Sequence, residues 1–355
     1  MPLFALFSIL QLFTSNVGVL MILRICIGLC IAVEYTVGTT IISEWFSPED
    51  GPIFLSRFII FWTFGYVASF FAGLIMGNLS TDYHIIFASS VIPGVIAAIS
   101  RFVIGVPESP TWLASVNRLD DANKLISEKL GDEYCVVEEP EERNDKVSVK
   151  ELFSSRYRKN TLVGGAFYAC QVFPYFGVGI FLPILVSQLN MGSANTSSIL
   201  YDIFCMAGAF IGTYLCNRIP RRLFLTSTFY ISAIALGVMI IGHNGPVGIT
   251  LVSFCVFALV MSIAVVMQNP YPPELFDTRV RGTGVGIVIF FSRIGAAAGT
   301  FLLPILVEKI GVYGTLGVCL VILLVGGVVC QLFAPETSLK YRQSAPINKI
   351  IGERS

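Results

Sequence analysis

Charge is spread unevenly along this chain, and the unevenness restricts what the chain can become. The sequence holds 23 basic and 23 acidic residues, and 20 of these 46 fall between Ala114 and Asn160. On either side stand apolar runs of about 20 residues, the length a helix needs to cross a hydrocarbon core about 30 Å thick. A soluble fold scatters charge over its surface, whereas this chain confines charge to a central loop and short connectors. The pattern predicts an all-α polytopic membrane protein, two helical blocks joined by a polar linker.

Composition agrees. Hydrophobic residues make up 55% of the chain and charged ones 13%, about half the share usual in a soluble domain. Glycine (32) and phenylalanine (28) are abundant, as expected where helices approach closely in lipid. The net charge is zero, which gives no sign of a nucleic-acid partner. Eight of the nine cysteines (Cys26, Cys30, Cys170, Cys205, Cys216, Cys255, Cys319 and Cys330) lie in apolar runs without C-x-x-C spacing, so they read as small buried hydrophobes. With only His84 and His243, no metal site is expected, no cofactor is implied, and no nucleophile–base pair suggests an enzyme. The apolar start lacks a basic leader and a small-residue cleavage site, so it does not read as a signal peptide.

Candidate spans run over about 3–14, 18–43, 57–79, 84–105, 161–187, 197–216, 223–242, 247–267, 283–306 and 312–333. Turn-formers mark the connectors: Asn78 to Asp82, Asn190 to Ser193, and His243 to Pro246. Basic residues orient the set. Placing the 44–57 loop inside puts Arg57, the linker cations, Arg218, Arg221, Arg222, Arg279 and Arg281 inside and leaves only Lys309 outside. The C-terminus is then cytoplasmic, and Arg24, Arg101 and Arg293 remain within spans. Arg101 is near enough to its cytoplasmic end to snorkel. In the linker, residues 117–130 set Leu119, Ala122, Ile126 and Leu130 on one helical face, with Gly131 as a stop. A second short helix is expected over Val149 to Tyr157, and the acidic run Glu138 to Glu142 reads as solvated loop.

Four motifs carry a family resemblance: PESPTWL at 107–113, FAPETS at 333–338, YPPELFDTRVRGTGVG at 271–286, and RICIG at 24–28 followed by EY at 34–35 and SEWFSP at 43–48. In order and spacing they resemble the sugar-porter-like members of the major facilitator superfamily, in particular bacterial metabolite transporters. The resemblance covers essentially the whole chain. It implies a truncated N-terminal bundle (1–113), a cytoplasmic linker with an amphipathic helix (114–160), a six-helix C-terminal bundle (161–334) and a cytoplasmic tail (335–355). The family has twelve helices, and counterparts of helices one, two and the start of three are missing here, so a fragment is expected.

The resemblance also implies secondary active transport of a small polar metabolite, sugar-like or an organic acid, with protons, by alternating access in the inner or plasma membrane. Small solute, protons and lipid bilayer are the expected partners, and a monomer the expected state. A competing reading is a non-transporting membrane sensor or a non-functional truncated remnant. The helices starting near 18, 161 and 247 are expected to line the cavity. Departures from the hexose-porter pattern bear on substrate: in CQVFPYF (170–176) only Gln171 survives of a polar signature, and Asn269 stands where a tryptophan is usual. These make a standard hexose less favoured.

Pathway candidates are Glu34, Arg24, Gln171, Tyr168, Asn269 and Arg293. Charge at the bilayer centre costs about 2.5–3.5 kcal/mol on insertion scales, so such residues pair or function. Glu34 matches an acidic residue of the related transporters and Arg293 an arginine. Arg24 would pair with a carboxylate on a first helix that has no counterpart here. Asp202 matches nothing in the family. Gate candidates at the cytoplasmic ends are Glu44, Arg218, Arg221, Arg222, Glu274 and Arg281. Residues 44–52 and 274–282 weakly repeat each other, as two parallel halves would. In the basic loop 212–222, Asn217 stands where the family has Asp and Pro220 where it has Gly.

Overall fold

A computed structural model describes residues 1–45, 51–79, 82–105, 108–115, 118–132, 134–136, 148–180, 194–242, 245–277, 280–338 and 351–353. The expected turn at 190–193, the acidic run at 138–142 and part of the motif at 107–113 lie outside them. Among the described residues the protein is all-α apart from one short antiparallel pair, β1 (Tyr134–Val136) with β2 (Ile351–Glu353). By its contacts the chain forms two units. The first is Met1–Pro48 with Gly65–Glu142 and Ile347–Ser355; the second is Glu49–Phe64 with Arg143–Pro346.

Eight described helical stretches are long and apolar enough to cross a membrane. In the first unit α1 (Pro2–Leu10) packs on α2 (Val17–Trp45) and on α5 (Val91–Ile104). The helix α3 (Gly51–Asn78) contributes its second half here and its first half to the second unit. The span expected at 84–105 is divided into α4 (Tyr83–Ala88) and α5. The cause is Pro93, which has no N–H to give the Ser89 carbonyl and crowds it. Ser89 and Ser90 instead bond back to Ile86 O and Phe87 O at 2.7 and 3.2 Å.

After the short α6 (Pro110–Ser115), the linker helix forms as α7 (Leu119–Leu130). It buries Ala122 and Ile126 completely, two of the four residues expected on its inner face. Gly131 ends it at φ 107°, a conformation glycine adopts without strain. The helix expected over 149–157 is shorter. A 3₁₀ turn covers Val149–Phe153, and Ser154 then accepts from the Tyr157 and Arg158 amides. Serine favours such caps and turns over helix interiors.

The second unit holds α8 (Arg158–Ile180), α9 (Ala194–Cys216), α10 (Arg221–Ile241), α11 (Val247–Val265), the single turn α12 (Tyr271–Glu274) and α13 (Arg281–Phe333). Gly311, at φ 73° and ψ 174°, breaks α13 into the two spans the sequence predicts. Packing follows close approach at small residues. A Cβ on Gly208 would stand 2.4 Å from Leu259 O, and one on Gly212 2.9 Å from Ile263 O, so α9 lies directly on the α11 backbone. On α13, a Cβ at Gly295 or Gly299 would meet Ala169 O at 2.5 Å or Phe173 O at 2.4 Å on α8. Phe167, Tyr168, Tyr201, Phe224, Phe254, Phe257 and Tyr271 fill the core between them.

Candidate functional site

At the basic end of the second unit, three of the sequence motifs meet. Pro220 precedes α10 and has no side-chain cap to offer its free amides. Glu336 supplies one from far along the chain: its two oxygens accept from Arg221 N at 2.9 Å and Arg222 N at 3.1 Å. A carboxylate there also complements the positive end of the helix. The Arg221 side chain is almost wholly buried and forms a fork with Glu274, Nε to Oε2 at 3.2 Å and Nη2 to Oε1 at 3.0 Å. Its remaining amino group donates to Cys216 O. Thr337 donates to Glu274, and Tyr271 OH reaches Pro335 O at 3.4 Å. Arg222 extends this knot: its side chain donates Nε to Gln331 O at 3.1 Å, while Tyr230 OH donates to Gln331 Oε1 at 2.5 Å. A planar bidentate guanidinium–carboxylate pair satisfies both charges without water. Burial is tolerated for that reason.

Of the gate candidates, the structure thus brings Arg221, Arg222 and Glu274 together. Arg218 stands apart, its guanidinium 4.2 Å over the Tyr214 ring. Arg281 is half-buried at the start of α13, and the side chain of Glu44 lies outside the described residues. Glu336, Thr337, Cys216 and Gln331 complete the knot without having been singled out. The FAPETS motif was the signal for two of them. A second, exposed clasp ties the linker's exit to the same loop: Arg156 and Tyr157 donate to Asp277 Oδ2 at 2.9 and 3.0 Å, and Asn160 donates to Leu275 O at 2.8 Å. Burial and then the Asp277 carboxylate push the Tyr157 phenol above its ordinary value.

Deeper in the second unit, several polar side chains are buried among the apolar ones. Gln268 Nε2 donates to Gln171 Oε1 at 2.8 Å, and both Gln171 and Asn269 are buried. The Gln171 amide nitrogen has no hydrogen-bond partner among the described residues. Tyr168 is fully buried beside Phe167. Gln268 was not foreseen, since one glutamine in an apolar run carries no sequence signal. Asp202 on α9 is buried, with Oδ2 lacking a hydrogen-bond partner among the described residues. Arg293 is exposed on α13.

In the first unit Glu34 is held from both sides. Arg101 Nη1 donates to Oε1 at 2.6 Å, a second guanidinium nitrogen contacts Oε2, and the Met1 amino group lies 3.1 Å from Oε1. Arg101 therefore pairs across the unit instead of snorkelling alone. Arg24 packs its guanidinium over Phe87, 4.5 Å from the ring centroid, a cation–π contact in place of an ion pair.

Long apolar helices with paired charges at one end and neutral polar groups buried among them are what a membrane transporter requires. The profile of the family described as "Sugar (and other) transporter" matches residues 2–346. The inner membrane metabolite transport protein YgcS of Escherichia coli (strain K12) is 33% identical over 336 residues, 94% of this chain and 75% of YgcS. The niacin transporter NiaP of Acinetobacter baylyi is 24% identical over 94% of this chain and 76% of its own. Among solved structures, the proton:xylose symporter XylE of E. coli superposes with a TM-score of 0.73 at 16% identity, over 95% of this chain and 79% of that one. That likeness establishes the fold alone. The chain belongs to the sugar (and other) transporter family and is a multi-pass integral membrane protein with the major facilitator fold.

Proposed function

We propose that this protein is a secondary active transporter that moves a small polar metabolite, sugar-like or an organic acid, across the inner or plasma membrane together with protons. The family match over residues 2–346 carries the reading. NiaP is named for niacin and XylE for xylose with protons, which supports a small polar solute and proton coupling. The buried Gln171–Gln268 pair and Asn269 support a site built from neutral hydrogen-bonding groups. The cycle would be alternating access around a midplane site, in a monomer. The concentration of basic residues at one set of helix ends supports a cytoplasmic linker and C-terminus.

Within this reading Glu34 carries the coupled proton, exchanging it against its bond to Arg101. Arg293 engages an anionic group on the solute. The Arg221–Glu274–Glu336 knot stabilises one state of the cycle and does not touch solute. The test is uptake into liposomes holding the purified chain, with an inside-alkaline pH gradient and labelled xylose, niacin and a small dicarboxylate. Saturable accumulation of at least one solute is expected, with collapse when the gradient is dissipated. Glu34→Gln should abolish accumulation and leave solute exchange, which needs no net protonation. Arg293→Lys should weaken handling of an acid solute by more than charge accounts for, because lysine lacks the planar fork. Solute binding without uptake would favour a sensor, and neither binding nor uptake of any of the three would contradict the transporter reading.

A further inference from the structure

We propose that the groove between the first half of α3 and the end of α9 binds an anionic phospholipid. The groove lies wholly within the second unit and encloses about 530 Å³. Its walls include Ile53, Arg57, Phe61, Phe210, Tyr214 and Asn217. The two helices touch at Thr213, whose hydroxyl donates to Ala209 O on its own helix at 2.8 Å and lies 3.2 Å from Ser56 O on α3.

The groove is amphipathic along its length. Arg57 lies near the start of α3 and Asn217 just past the end of α9, so both stand at the basic end. Phe61 is one turn further along α3, and Phe210 lies seven residues back along α9, about 10 Å deeper. Phe61 is 75% exposed and Phe210 54% exposed, which suits an acyl chain and not a protein core. Among the lining residues Arg57 alone is charged, and it is exposed beside Phe54 at 5.4 Å. Arg218, next to the groove, stands 4.2 Å over the ring of the lining residue Tyr214. Asn217 is a neutral amide whose Nδ2 turns back to Thr213 O at 3.5 Å.

A basic pocket between membrane helices, open to lipid, selects an anionic headgroup. A zwitterionic headgroup would set its own cation against Arg57. A free phosphate would use the arginine but leave the aromatic wall bare. The occupant that uses the whole groove is therefore a lipid with a net negative headgroup.

The test is native mass spectrometry of the purified 355-residue chain from mixed micelles holding equal phosphatidylglycerol and phosphatidylcholine. The parent should retain phosphatidylglycerol in excess. Arg57→Gln, at an exposed side chain, should cut that excess about fivefold, the effect of one basic group near anionic lipid. Asn217→Asp should also cut it, by placing a carboxylate in the groove, with helix content by circular dichroism unchanged in both variants. Equal retention of the two lipids by the parent would overturn the proposal. So would an excess untouched by both variants, which would assign the lipid to a general annulus. Loss of the excess on adding inorganic phosphate would assign the groove to a soluble anion and overturn it as well.

Discussion

Glycines in the two units meet very different surroundings. In the second unit, Gly208, Gly212, Gly295 and Gly299 each bring a helix onto the backbone of another, where an added Cβ would stand 2.4–2.9 Å from a carbonyl oxygen. In the first unit, Gly28, Gly38, Gly73 and Gly77 meet nothing within 4 Å, and Gly94 meets only side chains, Phe4 at 2.7 Å and Ala5 at 3.8 Å. Burial follows the same division. In the first-unit span at Val17–Tyr35 only 11% of the residues are buried, against 67% in the second-unit spans at Arg158–Gly179 and Val247–Gln268. Charge does too. Arg221 and Glu274 are 4% and 14% exposed, whereas Arg101, which pairs Glu34, is 47% exposed. A helix bundle with close glycine contacts can exclude water from an ion pair. Where helices stand apart, the same pair is not enclosed by protein, and water that reaches it weakens it.

The largest consequence falls on the buried pair. Replacing Arg221 or Glu274 by Gln leaves the other charge buried without its partner and should destabilise the second unit by roughly 3–5 kcal/mol. Thermal unfolding in detergent would read this. Tolerance of either single change would break the contrast between the units. Next come the glycines: Gly299→Val drives side-chain atoms into Phe173 O and should cost about 3 kcal/mol. Gly73→Val, with open space around it, should cost under about 1 kcal/mol, and equal losses at both positions would erase the distinction. Removing the distant cap with Glu336→Ala should cost about 1–2 kcal/mol, the range for losing a helix N-terminal cap. The smallest effect belongs to the first unit. Arg101→Gln leaves Glu34 its contact with the Met1 amino group and should cost less than either change at the buried pair, and an equal loss would place Glu34 in as tight an environment as Glu274.

Much of the fold was legible because span length and apolarity are local properties. All ten expected spans have helical counterparts, and Gly311 divides the last two where the sequence places a connector. The breaks were less legible. Pro93 was visible, but only the helix around it shows that Ser89 and Ser90 absorb the interruption. The linker helix was readable from its apolar face. The 3₁₀ turn after it was not, because serine turns compete with helix by small margins.

In the site, Arg221, Arg222 and Glu274 were legible through motifs. Their partnership with Glu336 and Thr337 was not, since pairs 63 to 115 residues apart leave no local trace. The Glu34–Arg101 bond, 67 residues apart, was hidden for the same reason. Arg293 reads from sequence as a charge inside a span, and it stands in α13 with its side chain exposed. Hydropathy finds the span but says little about which side of the helix a residue occupies when the whole helix is apolar.

The central claim is that Arg221 and Glu274 act as one buried unit locking the basic end of the second bundle. A double-mutant cycle on the purified protein, with Arg221→Gln, Glu274→Gln and both together, tests it directly by thermal or denaturant unfolding. Strong coupling is expected: the double variant should lose no more stability than either single one, an interaction energy as large as one single loss, about 3–5 kcal/mol. Losses that simply add would contradict it and leave the two residues as independent surface charges.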